Sequence, residues 1–124
     1  MSTLKLTTLS NQGGTASVPS ETVINGTAKA WVNFNGTGTV AIRASFNVSS
    51  ITDNSTGNYT VNFTGGAIPD SSYCAVGGCQ HHAGITPNGT IAWEAPHTTT
   101  QLGVYITSTS GSYDPTYADI AIFR

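Results

Sequence analysis

Between residues 27 and 63 apolar and polar side chains alternate along the chain, and the alternation is cut at intervals by Asn-Gly and Thr-Gly pairs. Ala28, Ala30, Val32 and Phe34 share one parity, Val40, Ile42, Ala44 and Phe46 repeat it, and Tyr59, Val61 and Phe63 do so again. A period of two is what a half-buried strand produces, because successive side chains point to opposite faces of a sheet. Asn33, Thr39, Arg43, Ser45 and Thr60 then face solvent. Trp31 falls out of phase with Ala30 and Val32, where it is expected to seal an interface. Asn35-Gly36, lengthened by Thr37-Gly38, reads as the turn between the first two strands. Residues 49–57 read as a connection to the third strand, over residues 58–64.

Turn signals continue every eight to twelve residues or so, the spacing of a β-sandwich. Gly65-Gly66 and Pro69-Asp70 break the chain, and Pro87-Asn88-Gly89 marks another turn. Later strands are expected near residues 73–76, 85–86, 90–93, 101–107 and 117–123, with Leu102, Val104, Ile106, Ala118, Ile120 and Ile122 turned inward. No ten-residue window shows helical spacing with capping, so helix should be nearly absent. The expected fold is all-β, a small antiparallel β-sandwich of jelly-roll-like type over residues 27–124. Residues 1–26 differ: the run Leu4, Leu6, Leu9 leads into a Gly/Ser/Pro-rich stretch over residues 12–19. That composition suits a docking arm whose short alternating run adds as a strand to another chain.

Composition narrows the function. At 124 residues the chain makes one domain. Only 8% of its residues are charged, the net charge is −2 and the pI is about 5.8. Four Lys and Arg residues, Lys5, Lys29, Arg43 and Arg124, make no basic patch, so no nucleic-acid partner is expected. Charge depletion is also what a surface covered by another subunit shows, so an oligomer is favoured over a monomer. No apolar run approaches the ~20 residues of a membrane span, and the opening Met-Ser-Thr-Leu-Lys lacks the basic and apolar regions of a signal peptide. A product of the cytoplasm with no membrane insertion is expected.

The densest chemistry is the run Cys74-Ala-Val-Gly-Gly-Cys79-Gln-His81-His82, two thiols and two imidazoles within nine residues. Structural zinc sites draw their ligands from separated turns, and neighbouring histidines on extended chain point apart, so no metal is expected within one chain. His81 or His82 remains a candidate for a metal on a three-fold axis. A disulfide between Cys74 and Cys79 requires that Gly77-Gly78 turn the chain and bring the Cα atoms within about 7 Å; otherwise both are free thiols. The six acids, Glu21, Asp53, Asp70, Glu94, Asp114 and Asp119, are scattered singly, and no nucleophile motif lies near His81, His82 or His97. The chain is not expected to be an enzyme or to carry a cofactor. Sugars stack on exposed aromatic rings while carboxylates and amides hold their hydroxyls. Trp93, Tyr113, Asp114 and Tyr117 are the candidates for such a site, with Tyr105 a further aromatic to consider.

The run GTAKAWVNFNGTGTVAIR over residues 26–43, continued by SFNVSSITDN at 45–54 and GNYTVNF at 57–63, resembles a family of small virion proteins of tailed bacteriophages. The similarity covers about residues 1 to 70, including Ser2-Thr3-Leu4-Lys5-Leu6 and the step Ile68-Pro69-Asp70-Ser71-Ser72-Tyr73. It implies a β-rich domain exposed on an extracellular particle, most often a trimeric tail fibre or its receptor-facing tip. The expected function is therefore a structural tail-fibre protein involved in host attachment, a homotrimer held to other virion proteins through residues 1–26, with a host-surface glycan as its target. A capsid decoration or cement protein is the alternative role, and a free glycan-binding lectin is another. Beyond Tyr73 the sequence leaves the family pattern, which places recognition in the later loops.

Overall fold

The computed structural model describes residues 2–80 and 89–124. It begins with a hairpin of β1 (Thr8–Ser10) and β2 (Ser17–Pro19), followed by α1 (Ser20–Gly26). The rest of the chain forms β3 (Ala28–Asn35), β4 (Ala41–Phe46), β5 (Val48–Ser55), β6 (Asn58–Phe63), β7 (Cys74–Gln80), β8 (Thr90–His97), β9 (Gln101–Ser108), β10 (Gly111–Ser112) and β11 (Tyr117–Phe123). One antiparallel sheet has the order β4-β3-β11-β7; the other runs β5-β6-β9, with β8 and the short β10 also pairing with β9. The hairpins β3–β4, β5–β6, β8–β9 and β9–β10 stay within a sheet, and the other connections of the sandwich carry the chain across. The expected 85–86 strand lies outside the described residues.

The two sheets face each other across one core, so the all-β sandwich read from the alternation is the fold. Ala30, Val32, Phe34, Ala118, Ile120 and Ile122 meet Tyr59, Val61, Phe63, Leu102, Val104 and Ile106, all buried. The rings of Phe34 and Tyr59 meet edge to face, with centroids 5.2 Å apart, and join the layers directly. Burying about twelve such side chains contributes on the order of 1.5–3 kcal/mol for each large aliphatic or aromatic one, before the cost of ordering the chain is subtracted. The inner faces of β3 and β6 are thus covered within one chain.

Two expectations change. Arg43 stands unpaired as a bulge in the β3–β4 ladder, so Asn33 lies opposite Ala44 and Phe34 opposite Ile42. One extra residue reverses the parity of the strand beyond it: Ile42 faces in, whereas Ala44 and Phe46 face solvent, Phe46 at 50% exposure. Residues 49–57 do not merely connect; most of them form the edge strand β5. Its ladder with β6 is broken between Val48 and Ser50 and again between Asp53 and Ser55, which hides the strand from a search for clean alternation. Helix is nearly absent, as expected: among the described residues it is confined to the short α1, in the stretch read as arm. Pro19 with its fixed φ leads into it and Glu21 lies in its first turn, where the helix dipole favours an acid.

The turns that close the sandwich are specific. Asn47, at φ 56°, carries the chain from β4 to β5 in a single residue, and its Nδ2 donates to the Lys29 carbonyl at 2.7 Å. At the same end Ile68 and Tyr73 cap the core, and Arg124 grips Asp70 through two bonds of 2.8 Å. Gly57, at φ 71° between β5 and β6, packs against Ile106 backbone and takes that residue's amide on its carbonyl at 2.7 Å. Left-handed backbone and close contact together exclude a side chain there. Gly57→Ala is therefore expected to lose about 2 kcal/mol or more of stability, read as a lower urea midpoint with unchanged slope.

Candidate functional site

The residues expected to bind sugar do not converge. Tyr113 is buried, with its hydroxyl 3.3 Å from Cys79 Sγ. Asp114 is a structural tie: one carboxylate oxygen accepts from the Tyr59 hydroxyl at 2.6 Å and from the Gly57 amide at 2.8 Å. Trp93 lies at the sandwich edge, where its ring and Ile91 pack over Gly77 of β7; a Cβ on Gly77 would meet Trp93 at 3.1 Å. Tyr117 alone stands on an open sheet face, with the Arg43 guanidinium 3.9 Å above its ring. Tyr105 pairs with Ala92 and Asn58 in the opposite sheet.

The disulfide is likewise corrected. Gly77-Gly78 does not turn the chain but continues β7, which pairs with β11 from Cys74 opposite Phe123 to Cys79 opposite Ala118. Five residues of strand separate the thiols by roughly 16 Å, and odd spacing turns them to opposite faces. Both are free, Cys74 exposed and Cys79 half-buried beside Tyr113. His81 and His82 lie outside the described residues. His97 stacks on Tyr73, with ring centroids 4.2 Å apart and planes within 11° of parallel.

The outer face of the β4-β3-β11-β7 sheet holds what the sequence reading passed over. Val76, Ala121, Trp31 and Phe46 are register partners and form one row across four strands. Trp31 is 41% exposed, and Val76 and Phe46 are exposed beside it. The next row is Gly78, Asp119, Asn33 and Ala44. Asn33 Nδ2 donates to Asp119 Oδ1 at 2.5 Å. An open depression of about 530 Å³ lies over these rows, lined by Trp31, Asn33, Val76, Gly78, Asp119 and Ala121 among others. A Cβ added to Gly78 would meet nothing within 4 Å, so the space above this glycine is free. Rigid strands thus hold an indole, a carboxylate and a carboxamide side by side. Asn33 and Asp119 are 86 positions apart, and only the β3–β11 pairing brings them together.

A second apolar surface belongs to the arm. Leu4, Leu6 and Leu9 line a cleft of about 510 Å³ with Lys5, Ser20, Glu21, Val23 and Ile24. Leu4 is 82% exposed and Ile24 54%, and no described residue of the arm enters the sandwich core. Among the described residues no three His, Cys, Asp or Glu side chains gather as a metal site requires, and no helix is long and apolar enough to cross a membrane. Comparison of the chain with protein-family models, curated proteins and solved structures finds no match.

The Asp114 tie has two measurable consequences. Asp114→Ala strips the Tyr59 hydroxyl and the Gly57 amide of their acceptor, and about 2–3 kcal/mol of stability should be lost; the thermal midpoint should fall accordingly. Burial first, then the Asp114 hydrogen bond and charge, push the Tyr59 phenol well above its ordinary value of 10.0. Burial also pushes Tyr73 and Tyr113 up to about 12, with Cys79 adding to the effect at Tyr113. A pKa raised by folding contributes stability that is complete below the unfolded value and lost as pH rises through the folded one. The urea midpoint should therefore hold steady to about pH 10 and fall above it. Ionisation of these tyrosines, read at 295 nm, should accompany unfolding.

Proposed function

We propose that this chain is a non-enzymatic structural component of a tailed bacteriophage virion, a trimeric tail-fibre protein that takes part in host attachment. The resemblance of residues 26–63 to small phage virion proteins supports this reading, and those residues build β3 to β6, half of the sandwich. The observation that carries it is the arm. Leu4, Leu6, Leu9, Val18 and Ile24 stand exposed on a segment that contributes nothing to the core. Contiguous apolar surface of this kind on a folded chain marks a protein contact, and the cleft between the Leu4–Leu9 run and α1 gives neighbouring copies or another virion protein a place to seat. In this reading the sandwich is a finished module and the arm assembles it.

Light scattering on the full chain at micromolar concentration should give three times the 12.8 kDa of one chain. Replacing Leu4, Leu6 and Leu9 by Ser should dissolve the trimer and leave the thermal transition of the sandwich in place. A clean monomer of the unaltered chain overturns the trimer. Counting copies against the major capsid protein in purified virions separates the tail from the shell: a few copies per particle support the fibre, and hundreds would make it a decoration protein.

A further inference from the structure

We infer that the depression on the outer face of the β4-β3-β11-β7 sheet is a binding site for a neutral hexopyranose oligosaccharide, with Trp31 as the stacking platform and Asp119 and Asn33 as hydroxyl acceptors. The inference rests on the host-attachment reading and supplies its ligand class. A pyranose ring has two kinds of surface, an apolar face of C–H groups and a rim of hydroxyls, and the depression offers both in adjoining rows. Trp31 and Val76 flank Ala121 in one row, an apolar strip on which the C–H face can lie. In the next row, about 7 Å along the strands, Asn33 holds Asp119 Oδ1. Asp119 Oδ2 and Asn33 Oδ1 are bonded to no described residue. These are two acceptors at fixed separation, the arrangement that takes hydrogen bonds from neighbouring hydroxyls. Gly78, with nothing above it, lets the ring approach the backbone.

A second copy of the chain would suit the apolar row but not the polar one. Covering Asp119 with protein removes a carboxylate from water with one neutral donor beside it, which is costly. Sugar hydroxyls donate to that carboxylate and leave it partly wet. Tyr117, on the same face, already carries Arg43 on its ring, which leaves Trp31 as the free platform. Strands joined by ladders on both sides hold β3 and β11, so the site is formed before any ligand arrives.

The test uses the full chain on an array of hexose and N-acetylhexosamine oligosaccharides, followed by fluorescence titration with whichever glycans are retained. Trp93→Phe leaves Trp31 as the single indole, and its emission should shift on binding. Trp31→Ala and Asp119→Ala should each weaken binding by about tenfold or more, as loss of a stacking face or a charged hydrogen bond does. Gly78→Leu should block the depression and abolish binding; its Cβ meets no neighbour, so the thermal midpoint should hold. The site is refuted if no array glycan is retained, or if Trp31→Ala and Gly78→Leu bind as the unaltered chain does. Loss of oligomer in Trp31→Ala without glycan binding would make this face a contact between copies instead. A trimer that binds no glycan overturns the site alone, because the arm variant reads assembly separately.

Discussion

The bond between Asp114 and Tyr59 sits where several separate parts of the chain meet. Tyr59 is fully buried in β6 with its ring against Phe34 of β3, so its hydroxyl arrives at the end of the core and must find its partner within the protein. Asp114 meets that hydroxyl and, through the same oxygen, the amide of Gly57 in the β5–β6 turn. The next residue, Pro115, accepts from the Gly36 amide at 2.8 Å, and the Gly36 carbonyl lies 3.4 Å from the Tyr59 hydroxyl. The β3–β4 turn, the β5–β6 turn and the segment entering β11 are thereby fixed to one another. A Cβ on Gly36 would come within 2.8 Å of Pro115, so that corner closes only on a glycine. The partner of β3 in the first sheet, β11, leaves this knot with its register against β3 already set.

That arrangement explains which parts of the fold were legible in the sequence. Strands β3, β6, β9 and β11 are central in their sheets, bury one full face, and show it as unbroken alternation; Val32, Val61, Val104 and Ile120 all point where their parity says. The edges are different. β4 reverses parity at Arg43, and β5 is interrupted twice, so Phe46 looks like core and residues 49–57 look like loop. An edge strand touches the core with few side chains, Val48 and Ile51 in β5, and so carries little apolar signal. The hairpin of β1 and β2 and helix α1 bury nothing, and periodicity reports only burial.

The site was less legible than the fold for a related reason. Asp114 lies in a Gly/Ser/Tyr/Pro loop and reads as an exposed ligand-binding acid, yet its loop folds inward over Tyr59. Asp119 lies in the middle of a clean strand and reads as a solvated position. It gains meaning only when pairing places it between Asn33 on one side and Gly78 on the other. Trp31 was legible as a residue outside the core, since its parity opposes Ala30 and Val32. Its neighbours Val76 and Asp119 come from β7 and β11, and a reading of single segments has no means of joining them. The proposed recognition surface is thus a product of sheet pairing, whereas loop composition pointed to Tyr113 and Asp114.

The broken ladders of β4 and β5 have a further consequence. Exposed sheet edges invite other chains to add strands and grow into fibrils, and many proteins discourage this with charge. With 8% charged residues this chain has little to spend on repulsion. Its open edges are instead kinked: Arg43 bulges from one, and the other breaks at both ends of its ladder with β6. The remaining two edges, β7 and β8, close on each other where Trp93 covers Gly77. A polar but nearly uncharged module can in this way be crowded at high local density without its copies zipping together edge to edge.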